Sequence, residues 1–582
     1  MTMAHKKTAT ATRLACIFVF AEMSACGAGQ TSTDTATPAA TSTTSASAAT
    51  LTTGASAATS TTGASAATST TGASAATSTT GASAATSTTG ASAATSTTGA
   101  SAATSLATSS LVTNFNNGDA CVAQTLPPTQ ILFGTSKKVF AHYFFPFPVS
   151  LDNVAPASDY YNTQYLTKNG ESNKWLAQGG YLRQRPLGTT PSSSAAWLQL
   201  NMEAEIKAAM ARGITGFAFD VMSVSEATGS DSPLQRLLAA ALAVDSRFKI
   251  MVMPDISALQ GNSSAVVQII AAVAGSPTAY RLSDGRLVSS AFDAGLNSAA
   301  WWTSVLSQLN AQGIDVAFVP VFLGWQGSVE AFAPISYGIS DWGTATAASA
   351  SAQQADPGIV HSTYGKIFMM PINPQQFRPK DFTYWEAGNS ASFRNGWMSA
   401  INGDADWVQL VTWNDFSESG QISPYTDATL RGDIGTGYYN MNAFYAAWFL
   451  TGQQPTITHD VLYYFYRREP GNAAGPAQSQ LDTNVTGTVE NDIELVAFLT
   501  APGTLKITIG GTTYTQNAPA GITSLKMPAQ PGVPLFTLSR NGTDVFSFVG
   551  GVQIYGLSGI PSGVQDLTYW SGSAAISGIC SL

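Results

Sequence analysis

The stretch Trp413-Asn414-Asp415-Phe416-Ser417-Glu418 sets two carboxyl groups three residues apart, among side chains that can bind a polar ring. One protonated carboxyl can donate to a leaving oxygen while an ionised one activates water. Hydrolysis of a glycosidic bond needs that pair, with about 6.5–9.5 Å between the groups when configuration is inverted. On a helix the two would stand about 5–6 Å apart at Cβ. In a loop they can address opposite sides of one bond, so spacing alone leaves the stereochemistry open. Like charges at close range also raise the pKa of one partner, which makes an acid available near neutral pH. Glu418, beside Trp413 and Phe416 in sequence, is read as the acid and Asp415 as the base.

A second set of residues stands wherever an apolar run ends: His142, Asp220, Asp255, Asp293, Trp325, Asp341, Trp342 and Asn373. Tryptophan offers a flat face to the C–H side of a sugar, and Asp and Asn bind hydroxyls. His142, Asp220, Asp255, Trp325, Trp342, Trp413 and Asn414 are therefore candidate substrate-binding residues. An Asp after a strand is also a common helix cap, a reading that stands beside the binding one for Asp255. For His142 the alternative is a hydrogen-bonded core histidine.

These positions need a scaffold that gathers strand ends at one mouth. Between residues 137 and 470, short apolar runs alternate with amphipathic stretches. Strands are predicted at Lys138–Phe145, Gly216–Val221, Phe248–Ile256, Leu287–Asp293, Val316–Leu323, Ile335–Trp342, Lys366–Ile372 and Trp407–Trp413. Helices are predicted at Ala195–Arg212, Pro233–Val244, Ser264–Val273, Ala299–Gln312 and Ser390–Asn402. Near-continuous apolar strands separated by helices indicate a parallel sheet, and eight of them fit a (β/α)8 TIM barrel, whose active sites lie where the strands end. No Gly-rich phosphate loop follows an early strand, which argues against a doubly wound sheet. From 471 to 582 short alternating segments divided by Pro, Gly and Asn predict a β-sandwich.

The run Val411-Thr412-Trp413-Asn414-Asp415-Phe416-Ser417-Glu418-Ser419 resembles the end-of-barrel signature of glycoside hydrolase family 71, the α-1,3-glucanases or mutanases. Val139-Phe140-Ala141-His142-Tyr143, Gly213-Ile214-Thr215-Gly216-Phe217-Ala218 and Tyr466-Arg467-Arg468 are similar to that family as well. The resemblance implies a barrel with a β-sandwich, no cofactor, and inverting hydrolysis of α-1,3-glucan. It carries the catalytic pair onto Asp415 and Glu418.

The rest of the chain frames this reading. Charged residues make up 10 % of the 582, aromatics 10 %, and the net charge is −9. With no basic stripe to neutralise phosphates, nucleic acid is excluded as a partner. The four histidines lack metal-ligand spacing, so no metal site is expected. No Gly-x-Ser-x-Gly elbow falls at a strand-to-helix junction.

Residues 1–26 read as an export signal: Lys6, Lys7 and Arg13 precede an apolar core, Leu14–Ala21, too short to span a bilayer. Met23-Ser24-Ala25-Cys26-Gly27 resembles a lipobox, which would lipidate Cys26 and attach the protein to a membrane. Residues 27–110 carry TTGASAATS at a nine-residue period, a unit without a large apolar side chain, the composition of a disordered tether. A lead-in, 111–136, follows. Cys121 and Cys580 bracket the folded part and are expected to pair in an oxidising compartment, two free thiols being the alternative. The expected protein is a monomeric hydrolase of polysaccharide, extracellular or a cell-surface lipoprotein. The alternatives are a hydrolase of another α-linked polysaccharide and a non-catalytic glycan-binding protein.

Overall fold

The computed structural model describes residues 121–582, apart from 168–169, 175–181, 183, 382, 428–433, 472–483, 557–565 and 581–582. The expected export signal with Cys26, the tether, and the first ten residues of the lead-in lie outside the described residues.

Eight parallel strands close into a barrel: β1 (Lys138–Tyr143), β2 (Gly216–Val221), β3 (Lys249–Pro254), β4 (Leu287–Ala291), β5 (Val316–Phe322), β6 (Gly338–Asp341), β7 (Ile367–Ile372) and β8 (Trp407–Leu410). Each pairs with its neighbour in sequence, and β1 pairs with β8 through Phe140↔Gln409. Both faces of such a strand are covered, which explains runs without alternation; in β3 every residue after Lys249 is buried. Phe140, Met251, Val288, Val319, Met369 and Trp407 fill the interior.

The covering helices include α1 (Trp197–Met210), α2 (Pro233–Val244), α3 (Ser263–Ala271), α4 (Ala299–Asn310), α5 (Asp356–Tyr364), α6 (Ala391–Asn402) and α7 (Gly437–Thr451). Their starts follow from local chemistry. Ser232 accepts from the Gln235 N–H and Pro233 takes the first helical position of α2, while Leu234, Leu237, Leu238 and Ala241 recur at helical spacing on the buried side. Asn262 and Ser298 cap α3 and α4 in the same way.

Two antiparallel sheets form the C-terminal part. Their strands are β9 (Val461–Arg467), β10 (Asp492–Leu499), β11 (Gly503–Ile509), β12 (Thr512–Ala518), β13 (Gly521–Pro528), β14 (Leu535–Arg540), β15 (Thr543–Val549) and β16 (Tyr569–Ala575). One sheet runs β13-β10-β9-β16 and ends on Gly578–Ile579; the other runs β12-β11-β14-β15. Leu505, Ile507 and Ile509 alternate inward from β11 to meet Tyr464, Tyr466 and Phe536.

The expected domain boundary at 470 needs correction. Strand β9, counted with the barrel, is a central strand of the five-stranded sheet, hydrogen-bonded to β10 on one side and β16 on the other. Its seven residues are all buried, so a continuous apolar run fits a covered antiparallel strand as well as a barrel strand. Cys121 and Cys580 are joined by a disulfide with Cα atoms 5.5 Å apart.

Candidate active site

The loop after β8 is built on hydrogen bonds to its neighbours and to itself. The Val411 N–H donates to the Ile372 carbonyl on β7, and the Trp413 N–H to the His142 carbonyl on β1. Thr412 N–H donates to Gly420 O at 2.8 Å and Gly420 N–H to Asp415 O at 3.2 Å, closing the loop on itself. Within it, Asp415 Oδ1 accepts from Ser417 Oγ at 2.7 Å, Ser417 N at 3.0 Å and Glu418 N at 3.2 Å. Its own N–H donates to Thr412 Oγ1.

Asp415 and Glu418 line one cleft at the barrel mouth, with Trp342, Asn373, Gln375, Gln376 and Thr412. Their surroundings differ. Burial, and then the Glu418 charge, push the Asp415 carboxyl up to about 6, against the pull of its Ser417 hydrogen bond. Glu418 instead meets a donor and a cation: Gln376 Nε2 gives a hydrogen bond to Oε2 at 2.5 Å, and Arg378 makes an ion pair with Nε 3.1 Å from Oε1.

Further back, His142 Nε2 lies 3.3 Å from Asp220 Oδ2, both side chains being buried. Burial drives the imidazole down to about 4 although Asp415, Asp255 and Glu418 all pull it upward. Burial and Asp415 raise the Asp220 carboxyl well above the carboxylate range. Among the described residues, His142 Nδ1 and Asp220 Oδ1 are buried without a hydrogen-bond partner. Trp342 meets the His142 ring edge-on at 4.8 Å and remains partly exposed. Asp255 Oδ1 caps the turn Ile256–Leu259, accepting from Ser257 Oγ and Ala258 N, and burial followed by the Asp220 charge raises it to about 7.

Residues 192–581, about two thirds of the chain, match the model of glycosyl hydrolase family 71. The chain belongs to that family. A glucan endo-1,3-α-glucosidase of Schizosaccharomyces pombe is 25 % identical over 375 residues, covering 60 % of this chain and 86 % of the relative. A mutanase of Penicillium rubens is 23 % identical over 373 residues, covering 60 % and 80 %. Among solved structures, an endo-α-mannosidase of family 99 from Bacteroides thetaiotaomicron aligns with a TM-score of 0.41 and 16 % identity, over 54 % of this chain and 97 % of that one.

Three expected contacts of this family 71 mouth need correction. Trp325 is only 2 % exposed; its indole donates to Asp356 Oδ2 and packs on Phe368, inside the layer between strands and helices. Trp413 is 1 % exposed, wedged between Phe217 and Tyr439 with its N–H on Glu205. Neither ring has a face left for a sugar. Asn414 is buried too: it accepts from Phe144 N and donates to the carbonyls of Phe144 and Phe147, pinning the loop after β1 to the loop after β8. Phe416 turns away to pack on Phe147, so no aromatic side chain of this loop lies against Glu418.

Sequence reasoning missed Gln376 and Arg378 at Glu418, Trp385 near them, and Glu205 behind Trp413. The first three belong to a hairpin, Gln376–Arg378 and Thr383–Trp385, whose three-residue strands are too short for a periodic signal. Their position just past the end of β7 is the one cue available. Glu205, inside α1 and buried, breaks an apolar helix face, which marks a carboxyl that needs partners.

Proposed function

We propose that this family 71 protein is an endo-acting hydrolase of α-1,3-glucan in which Asp415 is the general acid and Glu418 the base that activates water. The observation carrying this reading is that one cleft holds two carboxyls in opposite environments. Asp415 has Oδ1 occupied by three donors and a carboxyl raised to about 6, which leaves Oδ2 to hold a proton for the leaving oxygen. Glu418 faces the Arg378 guanidinium and accepts from the Gln376 amide, contacts that fix its carboxyl in place beside the cleft. These surroundings favour the reverse of the roles read from sequence neighbours, because Trp413 and Phe416 point into separate cores instead of against Glu418.

Trp342 lines the cleft with its ring edge-on to His142, and behind it the buried atoms His142 Nδ1 and Asp220 Oδ1 keep hydrogen-bonding capacity that no described residue fills. The named glucanase and mutanase relatives support α-1,3-glucan as the polymer. An extracellular site of action, with a lipid on Cys26, is part of the proposal and rests on residues 1–26. Among the described residues, no helix is long and apolar enough to cross a membrane.

Incubation with a panel of α-glucans tests the reading. Shorter α-1,3-linked oligosaccharides should appear as the first products, with anomeric configuration opposite to that of the substrate by proton NMR. Hydrolysis of another linkage in preference overturns the substrate, and retained configuration overturns the roles of the two carboxyls.

A further inference from the structure

We propose that the hairpin beside Glu418 forms an additional sugar-binding position with Trp385 as its platform, occupied by the same glucan chain whose bond lies at Asp415 and Glu418. It rests on the hydrolase reading above.

The argument starts from register. Gln376 stands directly opposite Trp385, and Arg378 opposite Thr383, in an antiparallel pair. Residues directly opposite one another project from the same face, as do residues two apart on a strand. Gln376, Arg378, Thr383 and Trp385 therefore share one face. Phe377 and Tyr384 occupy the other, where both are 1 % exposed and packed with Leu567 under the C-terminal sheets.

Where the first face looks is fixed by its contacts. Gln376 donates to Glu418 Oε2 at 2.5 Å, Arg378 Nε lies 3.1 Å from Glu418 Oε1, and the Glu418 carbonyl accepts from the Phe377 N–H at 2.9 Å. The face thus opens on the cleft beside one of its two carboxyls. Trp385 is the large apolar group on it and stays partly exposed, unlike Trp325 and Trp413. The Arg378 guanidinium sits 5.9 Å from its ring centroid and is also 3.0 Å from Asp381.

A partly exposed indole whose neighbouring cation is held by carboxylates offers a rigid apolar plane with fixed polar groups at its edge. That combination suits a neutral sugar ring, which has C–H faces for the plane and hydroxyls at its rim. A charged or purely apolar ligand would use only half of it. Because Trp385 opposes Gln376, with Cβ atoms about 4.5–5.5 Å apart in such a pair, the platform is one side chain removed from Glu418. It therefore reaches a sugar beyond the bond that is cut.

The test compares Trp385→Ala and Trp385→Phe against a ladder of α-1,3-gluco-oligosaccharides. Binding is read by calorimetry in an inactive Asp415→Asn background, and kcat/KM is read in the otherwise native protein. Trp385→Ala should weaken binding of the longer chains about fivefold or more, the scale of one aromatic contact. The loss should shrink as the chain becomes too short to reach the hairpin, and Trp385→Phe should recover part of it. Equal loss at every length, or none at any, overturns the proposal; melting curves identify a variant that fails to fold, and Trp385→Phe then decides. A native protein that binds long chains better than short, with both variants unchanged, overturns the subsite alone. One that binds no α-glucan overturns the hydrolase reading and the subsite with it.

Discussion

The Trp413 indole N–H donates to the buried carboxyl of Glu205 at 3.1 Å, and the Tyr143 hydroxyl donates to the other oxygen of that carboxyl at 2.9 Å. One side chain on α1 thereby holds the end of β1 and the first residues of the Asp415–Glu418 loop in a common frame. Glu205→Ala leaves two buried donors unpaired at about 1–3 kcal/mol each. We expect a clearly lower melting temperature together with reduced kcat, and Glu205→Gln to lose much less. An alanine variant that melts like the native protein would remove Glu205 from this role.

Stability should depend on pH through the same group. Burial raises Glu205, Glu226, Asp255 and Glu386 each to about 7. In the unfolded chain such groups ionise near pH 4. The folded state then binds more protons between those limits, so the stability they contribute is complete below about pH 4 and lost as pH rises through about 7. Melting temperature should fall across that window, and Glu205→Gln should flatten part of the fall. A melting temperature that rises from pH 5 to 7 contradicts the scheme.

Catalysis carries its own pH signature. With Asp415 as an acid titrating at about 6, kcat/KM should drop close to tenfold per pH unit above that value. An alkaline limb that persists unchanged in Asp415→Asn would assign it to another group.

The two carboxyl variants should part company with the leaving group. Asp415→Asn and Glu418→Gln each lower glucan hydrolysis at least about 10²-fold. On an aryl glycoside that needs little protonation, Asp415→Asn should recover much of its rate and Glu418→Gln should not. Azide should rescue only Glu418→Gln, giving a glycosyl azide of inverted configuration. The opposite pattern exchanges the roles.

Trp325→Phe and Trp413→Phe separate structure from binding. Each removes an N–H that a buried or half-buried carboxyl accepts, Asp356 or Glu205. We expect about 1–3 kcal/mol of destabilisation from each and the native dependence of KM on chain length. A rise in KM over the native value that grows with oligosaccharide length in either variant would return that ring to the substrate.

Much of this architecture is legible from the amino acids. The eight runs read as strands contain β1 to β8, and Pro233–Val244 is recovered to the residue, because buried parallel strands and capped helices leave local marks. Asp415 and Glu418 also fall in one cleft, as the signature implies. What escapes depends on contacts distant in sequence. Trp325 and Trp342 follow successive strands, yet one is buried under Asp356 and the other faces His142. Arg378 reaches Glu418 only because a hairpin with three-residue strands folds back over the mouth. Strand β9 reads as part of the barrel until its partners, β10 and β16, are known.

Strand β16 also braces the site from behind. Tyr569 on that strand exchanges two hydrogen bonds with Gln375, next to the residue that holds Glu418, and its hydroxyl reaches Glu386 beside Trp385. During synthesis both carboxyls leave the ribosome long before β16 does. The barrel can close around them by then, but the hairpin at Glu418 still lacks the strand that supports it. A chain interrupted before β16 therefore carries the whole signature without the strand that braces the hairpin at Glu418.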